Sequence, residues 1–477
     1  MLAIKKARTF SNKENFIVLT DKFSNKAGYG FSEKEQAYIS EQINKQDKKL
    51  VALNRLNQLI LVLIVEKNKP LYQQAEALRK CGSCVANRLN EFKATSVQLY
   101  SEEVNPSLIL ALTEGIVLSN YQFIKHRSTA AKEKNSLNSI QVYAGAISEK
   151  DLNELAIVSE ATCHARDLVN EPVNVLNAVD LAKDFQQLGK KAGFKVEVLN
   201  KAAIQKLKMG GLLSVNQGSI DPPTFSIMEY KPKNAKNKKP YVLVGKGVVY
   251  DTGGLSLKPT TNSMDSMKCD MGGAAAVACA LYAIAKAKLP VHIITLVPAT
   301  DNRPGGNAFA PGDIITMYDG TTIEMLNSDA EGRMILADAL AYAKKYKPEL
   351  AIELSTLTGA SAAAIGHLGI VSMGTADEKT HNALKRSGEN TYERLAEFPF
   401  WEEYDELLKS DIADMKNIGV GFGGAITAGK FLNKFTDYPY LHLDIAGPAF
   451  INTRESYRIK GGTGVGVRLL FDFFKNV

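Results

Sequence analysis

The sequence predicts an α/β protein of two domains: a smaller N-terminal α/β domain and a larger C-terminal α/β domain with a mixed, largely parallel central sheet flanked by helices. Three observations predict it. At 477 residues the chain exceeds the roughly 100–200 residues of one ordinary domain. Short apolar, strand-like runs alternate with stretches of helical period, as in βαβ units. One long helical stretch, 149–170, ends at Glu171-Pro172, because proline pushes the residue before it out of the α region. Domains are expected at 1–150 and 171–477, with a connecting helix over 151–170.

In the first part, 16–20 reads as a short strand, 31–44 as a helix and 58–66 as a buried strand. The stretches 70–92 and 106–126 read as helices, each with proline near its start, where a missing N–H costs least. The polar stretch 128–139 reads as an exposed loop and 139–147 as the last strand of this part. Beyond 170 the strand candidates are 241–244, 291–298, 350–354, 370–374 and 441–445, and the strong helices are 272–288 and 334–346. The lysine-rich stretch 231–240 lies between two strand-like runs and reads as a solvated hairpin tip. In sheets of this kind, sites gather at the carboxyl ends of strands. Lys246 and Asp251 follow one strand, and 356–360 follows another.

Composition sets bounds. Hydrophobic content of 45% and charged content of 23% fit a soluble globular enzyme with a core that needs no disulfide. A formal charge of +7 allows a nucleic-acid partner, but the basic residues are dispersed and 231–240 has no interleaved aromatics. Five cysteines make no disulfide framework. Cys81 and Cys84 form a CxxC with no second pair, which reads as incidental and fits a reducing compartment. No segment is read as reaching the ~18 apolar residues of a membrane span; the longest apolar run is taken as 59–65. The first sixteen residues have no apolar stretch of signal type. These readings predict a cytoplasmic protein without a membrane partner.

The chemistry concentrates between 246 and 333. Lys246 and Asp251 lie in VGKGVVYDTGG, Lys258 in LSLKP, Asp270 in MKCDMGG, and Asp329, Glu331 and Arg333 in NSDAEGRM. At spacing two in an extended segment, Asp329 and Glu331 would point to one side, and such carboxylates repel unless cations lie between them. Two divalent ions would balance the four carboxylates and clamp a hydrolytic water. Oxygen-rich ligation suits Mn²⁺, Mg²⁺ or Zn²⁺. Lys246, between glycines, can approach such ions and bind as a neutral amine. Lys258 can polarise a carbonyl, and Arg333 at a helix start can hold an anion. Taken singly, an Asp-x-Glu is usually a surface pair and Lys246 a loop lysine. There is no phosphate-binding Gly-x4-Gly-Lys-Ser/Thr spacing, no HExxH, no ligand spacing among the six histidines and no GxSxG elbow.

These segments resemble the leucyl aminopeptidases of the M17 cytosol aminopeptidase family. NSDAEGRM is similar to the family's NTDAEGRL, and RDLVNEPVNVL, NAFAPGDI, LSTLTGA, SDIADMKN, GGAITAGKFL, HLDIAG and GGTGVGVRLL follow in the family's order. The likeness covers roughly 160–477. It implies a metal-dependent aminopeptidase that removes leucine-like N-terminal residues from peptides by a metal-bridging hydroxide. It implies two divalent ions, Zn²⁺ or Mn²⁺. The tighter would be bound by Lys246, Asp251, Asp270 and Glu331, and the other by Asp251, Asp329 (side chain and backbone carbonyl) and Glu331. Lys258 and Arg333 would be the catalytic pair, with bicarbonate held at Arg333 as general base. Met267, Thr356, Gly359 and Ala446 would line the first side-chain pocket. The partners implied are peptides with a free N-terminus and further copies in a homohexamer. Ser328 stands where the family has threonine, Met334 where it has leucine, and the loop 260–263 is one residue longer. A DNA-binding protein on the same scaffold, motivated by the positive charge, is the second reading, and a two-metal phosphoesterase the third.

Overall fold

The computed structural model describes residues 2–23, 27–101 and 103–477, and the chain divides into two compact units: Met1–Glu160 with Thr453–Ile459, and Ala161–Asn452 with Lys460–Val477. The helix Glu149–Asn170 has the bounds its periodicity predicts, and the division falls inside it. The return of Thr453–Ile459 to the first unit interrupts the stretch expected over 171–477. Its anchor is Tyr457, whose buried hydroxyl donates to Glu76 Oε2 at 2.9 Å.

The first unit is built on a six-stranded sheet in the order Ala3–Lys6, Ser139–Tyr143, Ser96–Tyr100, Phe16–Thr20, Leu59–Ile64, Leu50–Asn54. Only the last pair is antiparallel. The apolar residues of Phe16–Thr20 alternate between two cores, Ile17 and Leu19 facing one and Phe16 and Val18 the other, as period-two side chains require. Helices Leu71–Glu91 and Pro106–Ser119 touch through glycines. A Cβ on Gly115 would come within 2.2 Å of the Arg79 carbonyl, and one on Gly82 within 2.6 Å of Ile116 N. The second helix ends at Ser119 rather than at 126, with Asn120 as its C-cap. The stretch 128–139 contains the short helix Ala130–Glu133. Strands Ala3–Lys6, Leu50–Asn54 and Ser96–Tyr100 are not among the strands that the sequence predicts.

The second unit holds a nine-stranded sheet. Its path runs Leu395–Glu397, Ile370–Gly374, Tyr440–Asp444, Leu350–Ser355, Tyr241–Gly245, Ile293–Asn302, Thr224–Tyr230, Lys195–Leu199, and Gly247–Asp251 also pairs with Ile293–Asn302. Five pairings are parallel and three antiparallel, so the sheet is mixed and largely parallel as predicted. The segment 231–240 is not a hairpin tip. Strand Ile293–Asn302 inserts between Thr224–Tyr230 and Tyr241–Gly245, so this segment crosses over a strand contributed from later in the chain.

Two helices carry the site. Gly272–Lys286 is buried from Gly272 through Ala285, and a Cβ on Gly273 would come within 2.0 Å of the Leu354 carbonyl. This run is longer than 59–65, which corrects the sequence reading. With the turn before it, Met264–Lys286 has the length and hydropathy of a membrane span, yet 89% of its apolar 18-residue window lies inside the fold. Small residues let this helix lie directly on the sheet. Helix Glu331–Ala343 begins three residues before the expected 334 and packs into a large apolar core with Val242, Val244, Leu296 and Phe431.

Candidate metal centre

Four of the five candidate ligands sit at the carboxyl end of a strand or beside the start of a helix packed against it. Lys246 follows Tyr241–Gly245, Asp251 ends Gly247–Asp251, Asp270 follows the turn Met264–Cys269, and Glu331 opens Glu331–Ala343. The extended geometry assumed for Asp329 and Glu331 does not hold. Asp329 lies in a turn and Glu331 is the first helical residue. Their side chains converge all the same: ligand oxygens of Asp251, Asp329 and Glu331 lie within 4.8 Å of one another.

Asp270 stands outside that trio and joins it through Lys246. The Lys246 ammonium lies 2.7 Å from Asp270 Oδ2 and 3.0 Å from Glu331 Oε1, and donates to the Thr356 carbonyl at 3.2 Å. Lys258 bridges the other side, 2.9 Å from Asp251 Oδ2 and paired with Asp329. Four carboxylates face two ammoniums, so acids outnumber the lysines in a site where Asp251, Asp270 and Glu331 are each under 5% exposed. The titration follows. Burial, then Asp251, pushes Glu331 and Asp329 upward, and burial does the same to Asp270. Burial pulls both lysines down, but the carboxylates outweigh it and hold each above the ordinary lysine value. Such an excess of buried negative charge is what divalent cations relieve. Among the described residues, Glu331 Oε2 is buried with neither a hydrogen bond nor an ion pair. The donor set fits hard divalent ions.

Arg333 is buried beside this cluster. Burial pushes its guanidinium down to about 10, against the opposing pull of Glu331 and Asp444. One terminal nitrogen donates to the Asn417 carbonyl at 2.7 Å, while Nε has no hydrogen bond among the described residues.

The four pocket candidates are less tightly gathered. The Thr356 hydroxyl donates to Asp270 Oδ1 at 2.8 Å. Met267 is half-buried on the turn before Asp270, Gly359 is exposed at the start of helix Gly359–Ile365, and Ala446 is half-buried. Asp444 ties the last two regions together. It accepts from Leu357 N–H at 3.2 Å, Ala446 N–H at 3.1 Å and the Thr358 hydroxyl at 2.6 Å.

Sequence reasoning missed three residues that brace the site. Asn302 donates to Asp251 and to the Ser328 carbonyl. Asn417 accepts from Leu326 N–H and donates to the Asn327 carbonyl, both at 2.9 Å, holding the chain before Asp329. Ser328 donates to the Gly253 carbonyl at 2.6 Å and accepts from Ser256 N–H at 2.7 Å. Asn417 and Ser328 lie inside the segments that carry the family likeness; for Asn302 there was no local signal.

Comparison with known proteins agrees with this geometry. A "probable cytosol aminopeptidase" of Chlorobaculum tepidum is 47% identical over 389 residues, covering 79% of this chain and 76% of that protein. A solved tomato leucine aminopeptidase mutant superposes with a TM-score of 0.87 at 28% identity, covering 100% of this chain and 97% of its own. The bottromycin maturation enzyme BotP in complex with Mn superposes with a TM-score of 0.84 at 28% identity, covering 97% and 99%. None of these similarities supports the nucleic-acid reading. The model of the cytosol aminopeptidase family's catalytic domain matches residues 163–471, and the chain belongs to that family as a metallo-aminopeptidase.

Proposed function

We propose that the protein uses two divalent cations to remove leucine-like residues from peptides with a free N-terminus. The observation that carries this reading is the convergence of Asp251, Asp329 and Glu331 within 4.8 Å, with one Glu331 oxygen buried and unpartnered. The Mn named with BotP supports divalent ions; Zn²⁺ or Mn²⁺ suits the donors. One ion would be held by Lys246, Asp251, Asp270 and Glu331, the other by Asp251, Asp329 and Glu331. When bound, the pair would supply Lewis acidity at the scissile carbonyl and an activated water. Lys246 must lose its proton to become a ligand, so metal uptake releases a proton.

The chain's own residues do the rest. Asp270 lies beside the place of the substrate's α-amino group, whose ordinary pKa of about 7.7–8.0 leaves a neutral fraction at neutral pH. Lys258 donates to the carbonyl oxygen as negative charge develops there. Arg333, whose Nε has no hydrogen bond among the described residues, would hold an anion such as bicarbonate, which would supply a general base beside the leaving amine. Met267, Thr356, Gly359 and Ala446, small or apolar as a set, accept the first side chain. The demand for a free amine makes the activity that of an exopeptidase. The same reading takes the protein as cytoplasmic, in keeping with its relatives' names, and as a homohexamer.

The test is release of leucine from leucine amide. Chelation should abolish it, added Mn²⁺ or Zn²⁺ should restore it, and metal analysis should return two ions per chain. Full activity in Glu331→Ala would refute the ligand assignment, and sedimentation as a monomer would refute the hexamer.

A further inference from the structure

We infer that Asn302 is a positioning residue for this centre: its amide fixes Asp251 and the turn carrying Asp329 relative to one another, and so governs affinity for the cation those two share with Glu331. The inference rests on the ligand assignment proposed above. Asn302 is fully buried and is the last residue of Ile293–Asn302. Nδ2 donates to Asp251 Oδ1 at 2.9 Å and to the Ser328 carbonyl at 2.9 Å, which uses both amide protons. Its main-chain carbonyl accepts from Thr252 N–H at 3.1 Å and from the Thr252 hydroxyl at 2.9 Å. One residue thereby holds both segments that bear the shared ligands.

The consequences for each ligand differ. Asp251 Oδ1 accepts from Asn302 and from Gly253 N–H at 2.8 Å, whereas Oδ2 faces Lys258 at 2.9 Å. The amide therefore selects which oxygen turns toward the cluster. The Ser328 carbonyl belongs to the peptide unit joined to Asp329, so the second bond sets the plane from which that side chain departs. The Asn302 Oδ1 has no hydrogen bond among the described residues, and a Cβ on Gly254 would come within 2.8 Å of it. An acid of the same shape would offer no donor to either partner, leaving the Ser328 carbonyl without its hydrogen bond and Asp251 Oδ1 with only that from Gly253 N–H. No hydrogen bond links Asn302 to Lys246 or Asp270, so the other ion's site should feel its loss less.

The test is a Mn²⁺ titration of the chelator-treated full chain, followed by the EPR signal of free Mn²⁺, for wild type, Asn302→Ala and Asn302→Asp. Groups that hold a metal ligand from behind change affinity by roughly 10–100-fold. We expect the weaker dissociation constant to rise at least about tenfold in both variants, and the tighter to move less than about threefold. Asn302→Asp keeps the side-chain shape if Asn302→Ala fails to fold. It also adds negative charge, which by itself would tighten cation binding. Tightening in Asn302→Asp, wild-type affinities in a folded variant, or equal weakening of both sites would overturn the inference. Wild-type protein that binds fewer than two ions would instead overturn the ligand assignment.

Discussion

Gly332 sits between Glu331 and Arg333 in helix Glu331–Ala343, and the Lys246 side chain lies against it. A Cβ at position 332 would come within 2.4 Å of Lys246 Cε, 2.7 Å of Nζ and 2.8 Å of Cδ. Carbon atoms rest about 3.5–4.0 Å apart, so Gly332→Ala requires the lysine to retreat by about 1 Å. A free lysine would do so at little cost. This one is held by Asp270 at 2.7 Å, Glu331 at 3.0 Å and the Thr356 carbonyl at 3.2 Å, and a 1 Å retreat breaks those contacts. In the first turn of this helix alanine gains at most the roughly 0.8–1.0 kcal/mol it has over glycine in a helix interior, while overpacking costs about 1–3 kcal/mol. Net destabilisation should therefore fall at about 0–2 kcal/mol. Function should suffer far more, since a displacement of about 1 Å at a reacting centre costs on the order of 100-fold. The assay pairs thermal unfolding of the metal-free protein with kcat/KM on leucine amide at saturating Mn²⁺. Wild-type kcat/KM in a folded Gly332→Ala would refute the placement of Lys246 in the centre.

Three further outcomes are expected. Ser328→Ala should lose about 1–3 kcal/mol in urea unfolding by stranding Ser256 N–H and the Gly253 carbonyl, with kcat reduced because the loop bearing Lys258 loosens; Ser328→Thr, which keeps the hydroxyl, should match wild type. Glu353 and His442 form a fully buried pair at 2.5 Å across adjacent strands, so Glu353→Ala should cost about 3–5 kcal/mol in the same assay. Burial lowers the His442 pKa but Glu353 outweighs it, and the net shift is upward. The folded state thus binds that proton more tightly, so the pair's stabilisation is complete below the ordinary histidine value near 6.5 and fades as pH rises through the higher folded value, a decline that thermal scans of Glu353→Ala should lack.

Much of the centre was legible because its chemistry is local. Lys246, Asp251 and Lys258 share one loop system, and Asp329, Glu331 and Arg333 share one octapeptide. The geometry that joins Asp329 and Glu331 is nevertheless not the extended one their spacing suggests. Their convergence comes from a turn feeding a helix start, which a spacing of two does not distinguish from an extended strand. The 231–240 connection shows the same limit. Two apolar runs around a lysine-rich stretch look like a hairpin until a strand from 293–302 arrives between them. The helix Gly272–Lys286 follows from its period, but the length of its apolar run is masked by alanine and glycine, whose small side chains each bury little apolar surface.

By itself the sequence determined the α/β class, the helix that runs from one unit into the other, and the inventory of acids, lysines and arginine, since these follow from periodicity, proline placement and residue type within short windows. Only the tertiary structure decided the order of strands in the sheet, the return of Thr453–Ile459 to the first unit, and the bracing of Asp251 by Asn302 across fifty-one positions of chain. Those features depend on which distant segments pack together, and that choice is made by the burial of the whole core rather than by any stretch of residues within it.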